Sequence, residues 1–145
     1  MASLQISTGL KVYDIEDENG NVRGKISFNP KDFNFFSRAN TFQEKVSQCL
    51  TNVENMEDDM TEEDIIKLLD SYDKTLKEEL NKLFDDENAS KVVFGNQSCL
   101  NMLNGKSFVE RFLEAFLPII TSEFAEMTKE QEEVTDSILK DMGIK

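Results

Sequence analysis

Histidine and tryptophan are missing from this 145-residue chain, and proline and cysteine occur only twice each. Without histidine there is no His-dependent triad, no imidazole relay and no histidine-ligated zinc. Cys49 and Cys99 stand fifty residues apart with no CxxC spacing, so they form neither a disulfide scaffold nor a zinc knuckle. Free thiols in a reducing compartment are expected, since Met1-Ala-Ser-Leu lacks the basic start and apolar run of a secretory signal. No apolar run approaches the ~20 residues needed to span a bilayer. The best, Phe112 to Ile120, contains Glu114 and Pro118. Cations are scarce too: 16 Lys and Arg against 29 Asp and Glu give a formal net charge of −13. That balance argues against binding to a phosphate backbone or an anionic membrane.

What the chain does hold is phenylalanine, eleven of them beside two tyrosines. Its first organised stretch is VYDIEDENGNVRGKISFNP, residues 12 to 30. Asn19-Gly20 is a strong hairpin signal, because a type I′ turn needs two residues at positive φ. With that turn Lys11 faces Phe28, Tyr13 faces Ile26 and Ile15 faces Gly24. The other face pairs Asp14 with Lys25 and Glu16 with Arg23. A calcium loop with Gly20 at its sixth position would put Ile15 and Ile26 where carboxylates are required, so that motif fails.

Asn29-Pro30-Lys31-Asp32 predicts a helix with Asn29 as N-cap and Pro30 in its first position. Ala39, Phe42, Val46, Cys49, Val53 and Met56 then recur at spacings of three and four, with a weak point at Asn40-Thr41. After Glu57–Met60, Thr61-Glu62-Glu63-Asp64 reads as a variant capping box. Ile65, Leu69, Tyr72, Leu76, Leu80 and Leu83 continue the stripe, predicting an antiparallel pair of helices. Residues 89–94 predict a short helix closed by Gly95, and residues 96–104 a second one before Gly105. Ser107-Phe108-Val109-Glu110 is a capping box that opens the most apolar helix, in which Pro118 predicts a kink. Residues 128–145 are polar, with Val134, Ile138, Leu139 and Met142 at helical spacing.

The expected fold is α+β: a mostly α-helical single domain with an N-terminal β-hairpin packed on a helical bundle. Residues 1–127 form that domain, with the hairpin at 10–29 and the helical part at 30–127. Residues 128–145 are a C-terminal helical or flexible tail.

No catalytic constellation is present, and neither a cofactor nor a metal is expected. The serines have no histidine partner, and no Gly-rich phosphate loop occurs. Seven carboxylates and no cation lie between Glu54 and Asp64, while residues 87–120 are neutral overall. A charged loop beside a Phe-rich body is the layout of a binding protein. Phe35, Phe36, Phe112 and Phe116 are the expected apolar contact residues, and Asp58 and Asp59 the acidic ones.

The order of elements carries a resemblance. The strand–turn–strand of residues 12–30, the long acidic helices and VVFGNQSCLNMLNGKSFVERFLEAFLPII (residues 92–120) resemble the tail assembly chaperone-like proteins of long-tailed phages and prophages of Gram-positive bacteria. The resemblance spans residues 10–124; typical relatives end in a Lys-rich tail, whereas this chain ends acidic. It implies a non-enzymatic chaperone in the host bacterial cytoplasm, absent from the mature virion. Its partner would be the tape measure protein or another phage tail protein, alongside self-association. Two other readings stay open: an acidic inhibitor of a host defence protein acting as a nucleic-acid mimic, and a structural tail or head–tail connector component.

Overall fold

A computed structural model describes residues 1–143 and places them in an α+β fold. Strands β1 (Lys11–Glu16) and β2 (Val22–Phe28) form an antiparallel hairpin. The pairs Lys11–Phe28, Tyr13–Ile26 and Ile15–Gly24 match the expected register, and Lys25 Nζ lies 2.6 Å from Asp14 Oδ1. The turn differs. Asn19 does not adopt positive φ, whereas Gly20 does, at 78°. Gly20 N donates to Asp17 O, and Asp17 N to Asn21 O, closing a type I turn with a left-handed glycine behind it. The Asp17 carboxylate accepts the Asn19 and Asn21 N–H groups, which holds its pKa below the usual range. The longer loop shifts the register after Ile15, so Glu16 faces Val22 instead of Arg23. Arg23 instead donates to Val93 O, 3.1 Å away.

Helix α1 (Phe33–Glu54) begins later than expected. Asp32 is its N-cap and accepts from Asn34 N, while Asn29 Oδ1 takes Lys31 N in a separate turn that buries Pro30. Two cap-forming residues compete here, and the one adjacent to the apolar run prevails. Nothing breaks at Asn40-Thr41: α1 is continuous. Helix α2 (Glu62–Phe84) packs antiparallel to it, capped by Thr61 Oγ1 on Asp64 N. Arg38 Nε donates to Leu83 O and so caps the far end of α2.

Helix α3 (Ala89–Phe94) stops at Gly95 as expected. It touches β2 so closely that a Cβ on Gly24 would fall 2.8 Å from Val92 Cγ1. Residues 96–104 are not a helix. They lead into strands β3 (Met102–Leu103) and β4 (Lys106–Ser107), joined by Asn104 at φ 53° and Gly105 at φ 80°. Both turn residues are left-handed, so the type I′ turn is at the second Asn-Gly of the chain and not at the first. Helix α4 (Phe108–Asp141) opens with the full Ser107–Glu110 capping box and runs unbroken through Pro118.

The core forms where β2, α1, α2, α3 and the first half of α4 converge. Phe28 is at its centre, stacked between Tyr13 (centroids 4.4 Å apart) and Phe35 (4.7 Å). Ring contacts join eight phenylalanines into one network: 28, 35, 42, 84, 94, 108, 112 and 116. Among the described residues no helix is long and apolar enough to cross a membrane.

Candidate functional site

The other three phenylalanines are set apart. Phe33 packs on Phe36 (6.5 Å between centroids), and Phe36 on Phe124 (4.9 Å), where the start of α1 meets the middle of α4. Phe33 is 58% exposed and Phe124 46%, so this satellite cluster forms an aromatic patch in contact with solvent. Beyond it α4 continues alone. Met127 is its last buried residue; from Thr128 to Met142 every residue is exposed except the half-buried Leu139. Those residues cover about 20 Å of helix. Phe124, Met127, Val134 and Ile138 share one face of it, interrupted by Gln131. Carboxylates flank the stripe: Glu126, Glu130, Glu132, Glu133 and Asp136. Lys31 reaches across from the root of α1, 3.3 Å from Glu126 and 3.0 Å from Glu130. The hydrogen bonds to Glu130 and Glu126 raise its pKa above the usual lysine value.

Of the expected contact residues, Phe35 is fully buried and Phe116 nearly so; both belong to the core network and present no surface in this conformation. The reason is rotational. Consecutive helix residues point about 100° apart, so Phe35 faces inward while Phe36, its neighbour, turns outward. Phe36 is half-buried in the patch, and Phe112 is half-buried against Phe116 at 5.1 Å. The structure therefore brings only Phe36 to the aromatic patch. Phe33 and Phe124 complete it, and their only signal in the sequence was an apolar residue in excess of what the stripe needed.

Asp58 and Asp59 are exposed in the α1–α2 connection. They lie at the opposite end of α1 from Phe33 and Phe36, about 30 Å away for 22 helical residues. Acidic loop and aromatic patch are thus two separate surfaces. Nearby Glu63 pairs with Lys67 one turn on, 3.1 Å away. Among the described residues no group of three or more Cys, Asp or Glu side chains is arranged to hold a metal ion.

A third feature is a cleft of about 370 Å³ between β1 and α4. Ile26, Phe28, Val93, Phe112, Phe116 and Ile119 make it apolar inside, while Asp14, Glu16, Asp17 and Glu18 rim it. Arg111 lies over the Phe108 ring (4.7 Å) and donates through Nη2 to Asn101 O. Its Nε is buried without a hydrogen-bond partner. Tyr13 stands on the strand side, its pKa raised by burial and by the nearby Glu123 carboxylate.

One buried carboxylate holds the inner half of α4 in place. Asp73 accepts the Cys99 N–H at 2.8 Å and Lys77 Nζ at 3.0 Å, and Cys99 O accepts Val109 N in the first turn of α4. Burial disfavours its charge, but the Cys99 and Lys77 bonds outweigh that and keep its pKa below the usual range. The same burial, with Asp73 alongside, pushes the Cys99 thiol far up, and its side chain is fully enclosed in the core. The start of α4 is thereby tied to α2 by an Asp that periodicity reading overlooks, because it sits among apolar positions.

Comparison with family models, curated proteins and solved structures finds no match for the chain.

Proposed function

We propose that this protein is a non-enzymatic assembly chaperone for a phage or prophage tail, holding a segment of the tape measure protein during tail morphogenesis. The binding surface is the Phe33–Phe36–Phe124 patch together with the outer half of α4. The observation that supports this reading is a helix whose apolar stripe continues beyond the buried Met127, through Val134 and Ile138, past the body of the protein. A helical partner laying its own apolar face along that stripe would bury both. The carboxylates beside the stripe favour a partner carrying Lys or Arg next to its apolar residues. A chaperone of this kind acts in the host cytoplasm and leaves the finished particle.

Co-expression with a tape measure fragment tests the reading. A soluble complex is expected with the native chain, and its loss with Val134→Glu/Ile138→Glu. Unchanged fragment solubility in the presence of the native chain would overturn it. A second reading rests on the seven carboxylates between Glu54 and Asp64 at the far tip: an acidic inhibitor that mimics nucleic acid toward a host defence protein. Asp58→Asn/Asp59→Asn separates the two, abolishing inhibition under the second reading and leaving tape measure binding intact under the first. Detection of the protein by mass spectrometry in purified virions would favour a structural tail component over both.

A further inference from the structure

Among the described residues the hairpin has two strands, and one edge of β1 has no strand partner. That edge borders the cleft. Every residue from Tyr13 to Glu18 lines it, inward-facing and outward-facing alike, which happens when a strand presents its edge and not one of its faces. Across the cleft, Phe108, Arg111, Phe112, Ala115, Phe116 and Ile119 form one face of α4. An unpaired strand edge beside an apolar helix face is the geometry in which an extended segment adds as a further strand. Its backbone pairs with the edge while alternate side chains enter the cleft.

The chain carries a segment of that description. Residues 1–10 form no regular structure, and Leu4 (90% exposed) and Ile6 (76%) reach no neighbour that would cover them. Ser3-Leu4-Gln5-Ile6-Ser7 alternates polar and apolar, so in an extended strand Leu4 and Ile6 share a face. The segment has no charged side chain, so it can pass the acidic rim of Asp14, Glu16, Asp17 and Glu18 without repulsion. It does not occupy the cleft of its own chain. Its root is fastened on the β2 side, where Asn29 Nδ2 donates to Thr8 O and Leu10 N to Thr8 Oγ1, and the arm leads away from there.

We infer that two copies of this chain associate by exchanging their N-terminal arms, each arm adding as a strand to the free edge of the other's β1 with Leu4 and Ile6 in the cleft. This assembly does not depend on the tape measure reading. Light scattering on the full-length protein measures it: a mass twice the 16.6 kDa of one chain is expected. Leu4→Asp/Ile6→Asp should give single chains of unchanged helicity by circular dichroism, because both side chains are exposed in the isolated fold. In the dimer the β1 amides that point away from β2 should exchange slowly with solvent, and in that variant at least tenfold faster. A native chain that stays single at the highest soluble concentration would overturn the inference. So would a dimer indifferent to Leu4→Asp/Ile6→Asp, or single chains whose β1 edge is already protected by their own arm.

Discussion

Between Phe108 and Met127, α4 buries Val109, Leu113, Phe116, Ile120 and Met127; between Thr128 and Asp141 every residue is exposed except the half-buried Leu139. One helix thus exists for two different reasons. The inner half is helical because its apolar face fills the space between hairpin and helices. The outer half is helical because Glu, Lys, Gln and Leu are good helix formers and because the inner half has already supplied the nucleus. An isolated helix of that length would be marginal in water. The same regularity of backbone therefore marks a wall of the core in one half and an unoccupied surface in the other.

The comparison breaks if the two halves respond alike to truncation. Phe116→Ala, in contact with Phe28, Phe35, Phe84 and Phe112, should cost about 3–5 kcal/mol in urea unfolding. Asp73→Ala should cost about 1–3 kcal/mol by orphaning the Cys99 N–H that leads into α4. Asp73 also gives the inner half a pH dependence. Its folded pKa is depressed, so its contribution is complete above the unfolded value of about 3.9 and fades as pH falls through the lower folded value. Asp73→Asn should remove that part of the acid limb in unfolding curves recorded from pH 5 down to pH 2. Ile138→Ala should change stability by less than about 0.5 kcal/mol, as for an exposed site, while reducing recovery of the tape measure fragment. Smallest of all, Lys31→Met should leave the urea midpoint unmoved and show only as faster amide exchange around Glu126 and Glu130, where the halves meet.

Where the sequence was legible, several signals agreed. Tyr13, Ile15, Ile26 and Phe28 on one face, with Asp14 against Lys25 on the other, leave a single register for the hairpin. The cap at Thr61 and the capping box at Ser107 stand directly before apolar periodicity, and both helices begin there. Elsewhere a signal appeared without its context. The second Asn-Gly carries no hairpin pattern around it, because Met102-Leu103 and Lys106-Ser107 are too short to alternate, and Leu100 to Leu103 is equally apt for a helix. The phenylalanines could be counted but not sorted. Residue type fixes how much apolar area is available, whereas the helix phase at Phe35 and Phe36 decides which of two neighbours is core. The cleft was invisible because it depends on where α4 passes β1, and no local pattern encodes that distance.

The eight-ring network has a consequence for the order of events in folding. β1 with β2, α1 with α2, and β3 with β4 are each neighbours along the chain, so each can close over a short loop at little entropic cost. Phe28 and Phe116, joined across 88 positions, are distant in sequence by contrast, as are Phe35–Phe116, Phe36–Phe124 and Phe42–Phe112. Contacts of such separation carry the largest loop-closure cost, and all of these are made by the inner half of α4. Amide protection in pulse-labelled refolding should therefore appear first in the local hairpins and last along Val109 to Ile120.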